Sequence, residues 1–121
     1  MELDHVNITA PMETLKRVRD FYAQVLGLTE GERPNFKRNG FWLYGSGRAI
    51  LHLIDGEVSG DQPEKPYLDH IAFRTDALEP VKQRLDALGV ANHLMDVPGR
   101  NVRQLVFFDP VGNKVEVNAV V

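Results

Sequence analysis

The sequence contains no cysteine among its 121 residues. That absence removes disulfides, thiolate metal sites and a cysteine nucleophile together, and it says little about compartment. Positive charge is not in excess either. Lys and Arg total 14 against 17 Asp and Glu, for a net charge of −3, so no basic footprint argues for nucleic acid or an anionic membrane surface. No stretch approaches the run of about 18 apolar residues that a spanning helix needs. The opening Met1-Glu2-Leu3-Asp4 has neither the basic start nor the apolar run of a leader. The expectation is a cytoplasmic protein with no membrane or nucleic-acid partner. What remains is ordinary for a globular chain, 43% hydrophobic and 26% charged. The length suits one domain, 1–121, with a real core.

What the chain does have is a phrase used twice, Leu3-Asp4-His5-Val6 and Leu68-Asp69-His70-Ile71. Each copy reads as a short strand followed by an amphipathic helix that closes on a glycine. About 46 residues after each histidine comes a second strand-borne group able to bind metal: His52 in the first half, Glu116 in the second. Two copies of one module, each with two candidate ligands at like positions, dominate the sequence.

Residues 3–9 alternate with period two, Leu3, His5 and Asn7 on one face and Val6 and Ile8 on the other. Ala10-Pro11 ends that strand and suits a helix start. Leu15, Val18, Tyr22, Val25 and Leu26 recur at helical spacing, and Gly27 is the expected stop. Leu28 to Lys37 reads as a weak strand broken by Gly31 and Pro34. Phe41 to Tyr44 is a strand by aromatic content, Gly45-Ser46-Gly47 a turn, and Ala49 to Ile54 its hairpin partner. Residues 55–66 carry turn chemistry and little to bury, and read as a linker.

The second half repeats the order. A strand is expected over Tyr67–Thr75 and a helix over about Ala77–Leu88, with Asp76 and Glu79 spaced as a capping box and Pro80 in its first turn. Strands follow at roughly His93–Val97, Val102–Phe108 and Asn113–Val120, with Asp109-Pro110-Val111-Gly112 as the last turn. The fold class is therefore α+β. Two tandem βαβββ modules, about 1–58 and 66–121, form a curved, cup-like mixed sheet with helices outside.

Side-chain alternation sorts the candidates. Val115, Val117 and Ala119 share a helix-facing side, which leaves Lys114, Glu116 and Asn118 on the other. Ile71 and Phe73, and Val6 and Ile8, do the same for their strands. His5, His70 and Glu116 thus fall on the side away from the helices. Around His52 both faces are apolar, so the pattern does not choose.

Four segments carry a family resemblance: Leu3-Asp4-His5, Asp20 through Leu28, Leu68 through Phe73, and Phe108 through Glu116. In this order they resemble the vicinal oxygen chelate superfamily. It includes glyoxalase I, extradiol dioxygenases, methylmalonyl-CoA epimerase, fosfomycin-modifying thiol transferases and bleomycin-binding proteins. Its members share a scaffold and differ in chemistry. The resemblance implies one divalent metal in the concave sheet, on positions that match His5, His52, His70 and Glu116. Imidazole and carboxylate without thiolate suit Zn, Ni, Co, Mn or Fe(II), and no organic cofactor is implied. It also implies a small-molecule enzyme of lyase, isomerase or dioxygenase type. The metal acts as a Lewis acid on a substrate chelating through vicinal oxygens, and Glu116 is the candidate base. The alternative is a non-catalytic small-molecule binder of the bleomycin-resistance type. A homodimer is expected.

A single strand histidine is ordinarily a packed or solvated residue, and it is the coincidence of three that singles out His5, His52 and His70. His93 matches no ligand position. Phe36, Trp42 and Tyr44 are candidates for an apolar substrate pocket, beside Phe41. Arg103, with Arg74 and Arg100, is a candidate clamp for an anionic substrate. Glyoxalase I relatives carry an arginine and an asparagine for glutathione where this chain has Thr9 and Gly56, so the resemblance does not extend to glutathione.

Overall fold

The computed structural model describes residues 3–57 and 70–121. Residues 58–66 of the expected linker and the start of the expected fifth strand, Tyr67 to Asp69, lie outside the described residues. The chain divides into two units, Met1–Glu64 and Lys65–Val121.

In the first unit, β1 (Val6–Ala10) leads through Pro11 into α1 (Met12–Leu26). Pro11 has an extended ψ of 149°, and its carbonyl accepts from Leu15 N–H at 2.9 Å, which opens the helix. Gly27 closes it in the left-handed region at φ 70°, a conformation glycine adopts without steric cost. Leu28 N–H reaches back to the Tyr22 carbonyl at 3.3 Å. Leu15, Val18, Phe21, Tyr22 and Val25 form the buried stripe of α1. Then come β2 (Thr29–Gly31), β3 (Gly40–Gly45) and β4 (Arg48–Asp55). The expected weak strand shrinks to the three residues of β2. The Ser46-Gly47 turn has both residues at positive φ, 53° and 77°, as two-residue hairpins require.

The sheet order is β1-β4-β3-β2, with β1 parallel to β4 and the other pairs antiparallel. Ile8, Ala10, Leu43, Leu51 and Leu53 are buried, and α1 packs against this sheet. Each fully buried Leu or Val contributes about 1.5–3 kcal/mol relative to exposure.

The second unit repeats the scheme with β5 (His70–Arg74), α2 (Glu79–Ala87), β6 (Asn92–Asp96), β7 (Val102–Phe108) and β8 (Lys114–Val120). The order is β5-β8-β7-β6, again with one parallel pair. Val81 and Leu85 of α2 are buried, as are Leu105, Phe107, Val115, Val117 and Ala119 of the sheet. Two tandem βαβββ modules of an α+β fold are thus what the chain forms.

The capping box is not made. Leu78 stands at the N-cap in helical geometry with no side-chain cap bond, and it is 8% exposed. Thr75 Oγ1 instead accepts from Ala77 N–H at 3.4 Å, a local turn that competes with the cap. Pro80 does fall in the first turn of α2.

Candidate functional site

The two sheets place their candidate ligands by the same rule. In the parallel pair β1–β4, Asn7 stands opposite His52. In the parallel pair β5–β8, Ala72 stands opposite Glu116. His70 lies two residues before Ala72 in β5, and His5 stands just before β1, two residues before Asn7. A two-residue step keeps a strand side chain on one face. Leu51 and Leu53 are 1% and 0% exposed on the helix side, so His52 takes the other face, which the sequence left open. Across the second sheet, Ala72, Glu116, Val106 and His93 stand in one row. His93 therefore shares the Glu116 face, although it matches no ligand position.

On the first sheet the ligand face carries a column of rings. His5 and His52 stack at 3.8 Å between centroids with planes 11° apart. Trp42 stacks on His52 at 4.0 Å, also at 11°, and Phe36 tilts against Trp42 at 6.3 Å. The Arg33 guanidinium sits 5.0 Å from the Phe36 centroid. His52 is 9% exposed, and its Nε2 is 3.1 Å from the Ala49 carbonyl. A carbonyl only accepts, so Nε2 carries the hydrogen and Nδ1 keeps its lone pair in the neutral ring. Burial lowers the His52 pKa below the usual imidazole value, and the neighbouring His5 adds to the shift. His5 Nδ1 lies 2.6 Å from Asp4 Oδ2, a bond that holds the Asp4 carboxyl below its ordinary pKa. Tyr44 donates its hydroxyl to the Glu32 carbonyl, and its ring lies over Gly31, where a side chain would collide with it.

On the second sheet Glu116 is the most enclosed candidate, with its side chain 12% exposed. Oε1 accepts from Gln104 Nε2 at 2.6 Å and from Asn118 Nδ2 at 2.8 Å. Oε2 lies 3.5 Å from His70 Nε2. Two donors about 2.1 Å from a tetrahedral ion stand about 3.4 Å apart, so this pair has a ligand-like separation.

The donor set suits a divalent ion in a further respect. At His5, His52 and Glu116, one polar atom is tied to an orienting partner: Asp4, the Ala49 carbonyl, or the Gln104 and Asn118 amides. That is how ligands are commonly oriented in metal sites. The ring planes of His5 and His52 are another matter. In-plane lone pairs on parallel rings 3.8 Å apart do not meet at one point, so the exposed His5 ring must turn for both to ligate one ion. Within each unit, the described residues gather no group of three or more His, Asp or Glu able to hold a metal.

The remaining candidates fall elsewhere. Arg103 pairs in register with Ala119, on the helix side of the sheet and opposite the Glu116 face. Its Nε donates to Asp96 Oδ1 at 2.7 Å. It borders a cleft of about 200 Å³ with Leu78, Lys82 and Leu94. Gly56 lies under Arg38, whose Nε donates to the Asp55 carbonyl, and a Cβ at position 56 would collide with that guanidinium. Sequence reading missed Gln104 and the partner role of Asp4. Asp4 had a signal in the repeated Asp-His pair, whereas Gln104 meets Glu116 only through strand register.

With the geometry in hand, comparison with known proteins gives the family. The chain belongs to the Glyoxalase/Bleomycin resistance protein/Dioxygenase superfamily, whose family model matches residues 2–117. No curated protein matches. Among solved structures, an integron cassette protein from the mobile metagenome of the Halifax Harbour sewage outfall is 27% identical, with a TM-score of 0.69 and 98% of each chain covered. The glyoxalase family protein from Enterococcus faecalis is 25% identical, with a TM-score of 0.69, covering 97% of this chain and 96% of that one. A variant of the fosfomycin resistance protein FosX from Listeria monocytogenes is 20% identical, with a TM-score of 0.72, covering 99% and 93%. That FosX structure is complexed with Mn(II) and 1S,2S-dihydroxypropylphosphonic acid, and at this identity the likeness concerns the fold. Among the described residues no helix is long and apolar enough to cross a membrane.

Proposed function

We infer that this chain is a divalent-metal-dependent enzyme acting on a small substrate that chelates through two adjacent oxygens. His5, His52, His70 and Glu116 are the proposed ligands. When bound, such a metal supplies Lewis-acid stabilisation of an enolate-like or oxyanionic transition state. The observation that carries the reading is Glu116, with Oε1 engaged by two amides and Oε2 turned to His70. The His52 ring, whose pKa is lowered, is held neutral, the form in which imidazole ligates. Glu116 is also the proposed proton acceptor. Trp42, Tyr44 and Phe36 are the proposed apolar contacts for substrate. Arg103 is left out, because it occupies the other face of its sheet. The Mn(II) and the diol of the FosX complex lend support from a protein of the same fold.

The test is the metal content of protein purified without a metal-affinity tag, for wild type, His5→Ala and Glu116→Gln in parallel. About one transition metal per chain in the wild type, lost in both variants, supports the reading. No metal in the wild type, and none taken up on titration, overturns it. Glu116→Gln is expected to keep the fold and lose turnover.

A second reading, a non-catalytic binder of the bleomycin-resistance type, is favoured by the parallel His5–His52–Trp42 stack. It predicts metal-free protein that still binds an apolar ligand. A homodimer is proposed for either reading, and light scattering near the 13.7 kDa of one chain would count against it.

A further inference from the structure

Gln104 and Asn118 come from different strands and converge on one oxygen. Gln104 lies on β7, Asn118 lies on β8, and their backbones are register partners. Both donate to Glu116 Oε1, at 2.6 and 2.8 Å. The other oxygen, Oε2, lies 3.5 Å from His70 Nε2. The two carboxylate oxygens are therefore in unlike surroundings, although the carboxylate itself is symmetric.

Asn118 shows which need has priority. Its Oδ1 is buried and has no hydrogen-bond partner among the described residues. A buried acceptor without a partner is destabilising. Turning the amide over would set Oδ1 against Glu116 Oε1, acceptor against acceptor. The orientation that serves Glu116 is thus kept while Oδ1 goes unpaired.

We propose that Gln104 and Asn118 are positioning residues that reserve Oε1 for the protein and leave Oε2 as the single working atom of Glu116. The inference rests on the metal-ligand reading above and sharpens it. Glu116 holds an ion through one oxygen, beside His70, and does not chelate with both. The first unit reaches the same end by other means. There the Ala49 carbonyl takes one nitrogen of His52, and the Trp42 ring stacked on it fixes its plane.

The experiment uses Gln104→Met and Asn118→Leu, which remove the amides at similar size. Mn(II) and Zn(II) are titrated into metal-free protein by calorimetry. Infrared difference spectra on metal addition then isolate the Glu116 carboxylate by subtraction of Glu116→Gln. Wild type should show the wide splitting of carboxylate stretches that marks one-oxygen coordination. Each variant should bind about tenfold more weakly and show a narrowed splitting, as Oε1 is released to chelate. A general loss of stability would not move that splitting. If Asn118→Leu fails to fold, Gln104→Met alone decides. Equal affinity and equal splitting in wild type and variant overturn the inference and spare the metal reading. A wild type that binds neither ion overturns both.

Discussion

Trp42 and His52 lie ring on ring, 4.0 Å apart and 11° from parallel. The pairing follows from register, since Trp42 is the β3 partner of His52 in β4. It leaves His52 little room or water, and burial lowers its pKa.

That shift makes stability depend on pH with a definite sign. The unfolded imidazole takes up a proton near pH 6.5. The folded one resists until a lower pH. Between the two values the unfolded state binds more protons, so stability falls as pH falls. The contribution is fully present above about pH 6.5 and is lost on acidification toward the lowered folded value. One proton limits the slope to about 1.4 kcal/mol per pH unit. Urea midpoints from pH 8 to pH 5, read by emission of the single tryptophan, should fall more for wild type than for His52→Gln. Parallel curves for the two proteins would remove the claim.

A bound metal should act in the opposite sense on the same observable. Any ligand that binds the folded state alone raises its stability, by about 2.7 kcal/mol at one hundred times the dissociation constant. Thermal melts with added Mn(II) or Zn(II) should therefore shift upward for wild type. Glu116→Gln should not respond, because its amide offers no anionic oxygen. A shift of equal size in both would mean that the ion binds elsewhere.

Much of this was legible in the sequence, and the missing parts share a cause. The βαβββ order, the glycine stop at Gly27 and strand β7 over Val102–Phe108 follow from periodicity and turn chemistry. The face of His52 did not, because Ile50, Leu51, Leu53 and Ile54 are all apolar and period two then carries no contrast. The Gln104 contact to Glu116 and the turn of Arg103 to the helix side depend on which β7 residue meets which β8 residue. Register is a property of pairing, not of either strand alone. The Asp76–Glu79 spacing pointed the other way. It had the form of a capping box, but Thr75 made a nearer bond to Ala77 and Leu78 was buried at the helix start.

The face assignment of β4 can be tested without any ligand. Leu53 is 0% exposed and lies one residue beyond His52, on the opposite face. Leu53→Ala should cost about 2–5 kcal/mol, the usual range for a buried leucine truncated in a packed core. Val120, 74% exposed at the end of β8, is the control, and Val120→Ala should stay within about 0.5 kcal/mol. Urea unfolding at one pH reads both. Similar costs for the two would mean that Leu53 is not a core residue.

The last hairpin turns on a buried carboxylate. Asp109 is 5% exposed, and its Oδ1 accepts from the backbone N–H of Val111 and of Asn113, at 3.0 and 2.8 Å. Oδ2 accepts from Asn113 Nδ2 at 2.9 Å. Gly112 closes the turn at φ 85°, with its N–H on the Asp109 carbonyl. Hydrogen bonds to an ionised acceptor are each worth about 1.5–3 kcal/mol and do not add fully. Asp109→Ala should therefore cost about 3 kcal/mol, since it leaves two turn N–H groups without their acceptor. Asp109→Asn should cost less, because one side-chain oxygen still faces those N–H groups. Glu116 lies beyond the turn, in β8, and its amide partners do not involve Asp109. Folded Asp109→Ala should thus take up metal like wild type at a temperature well below its melting point. Loss of uptake in the folded variant would show that the turn, and not only the strand pair, holds Glu116 in place.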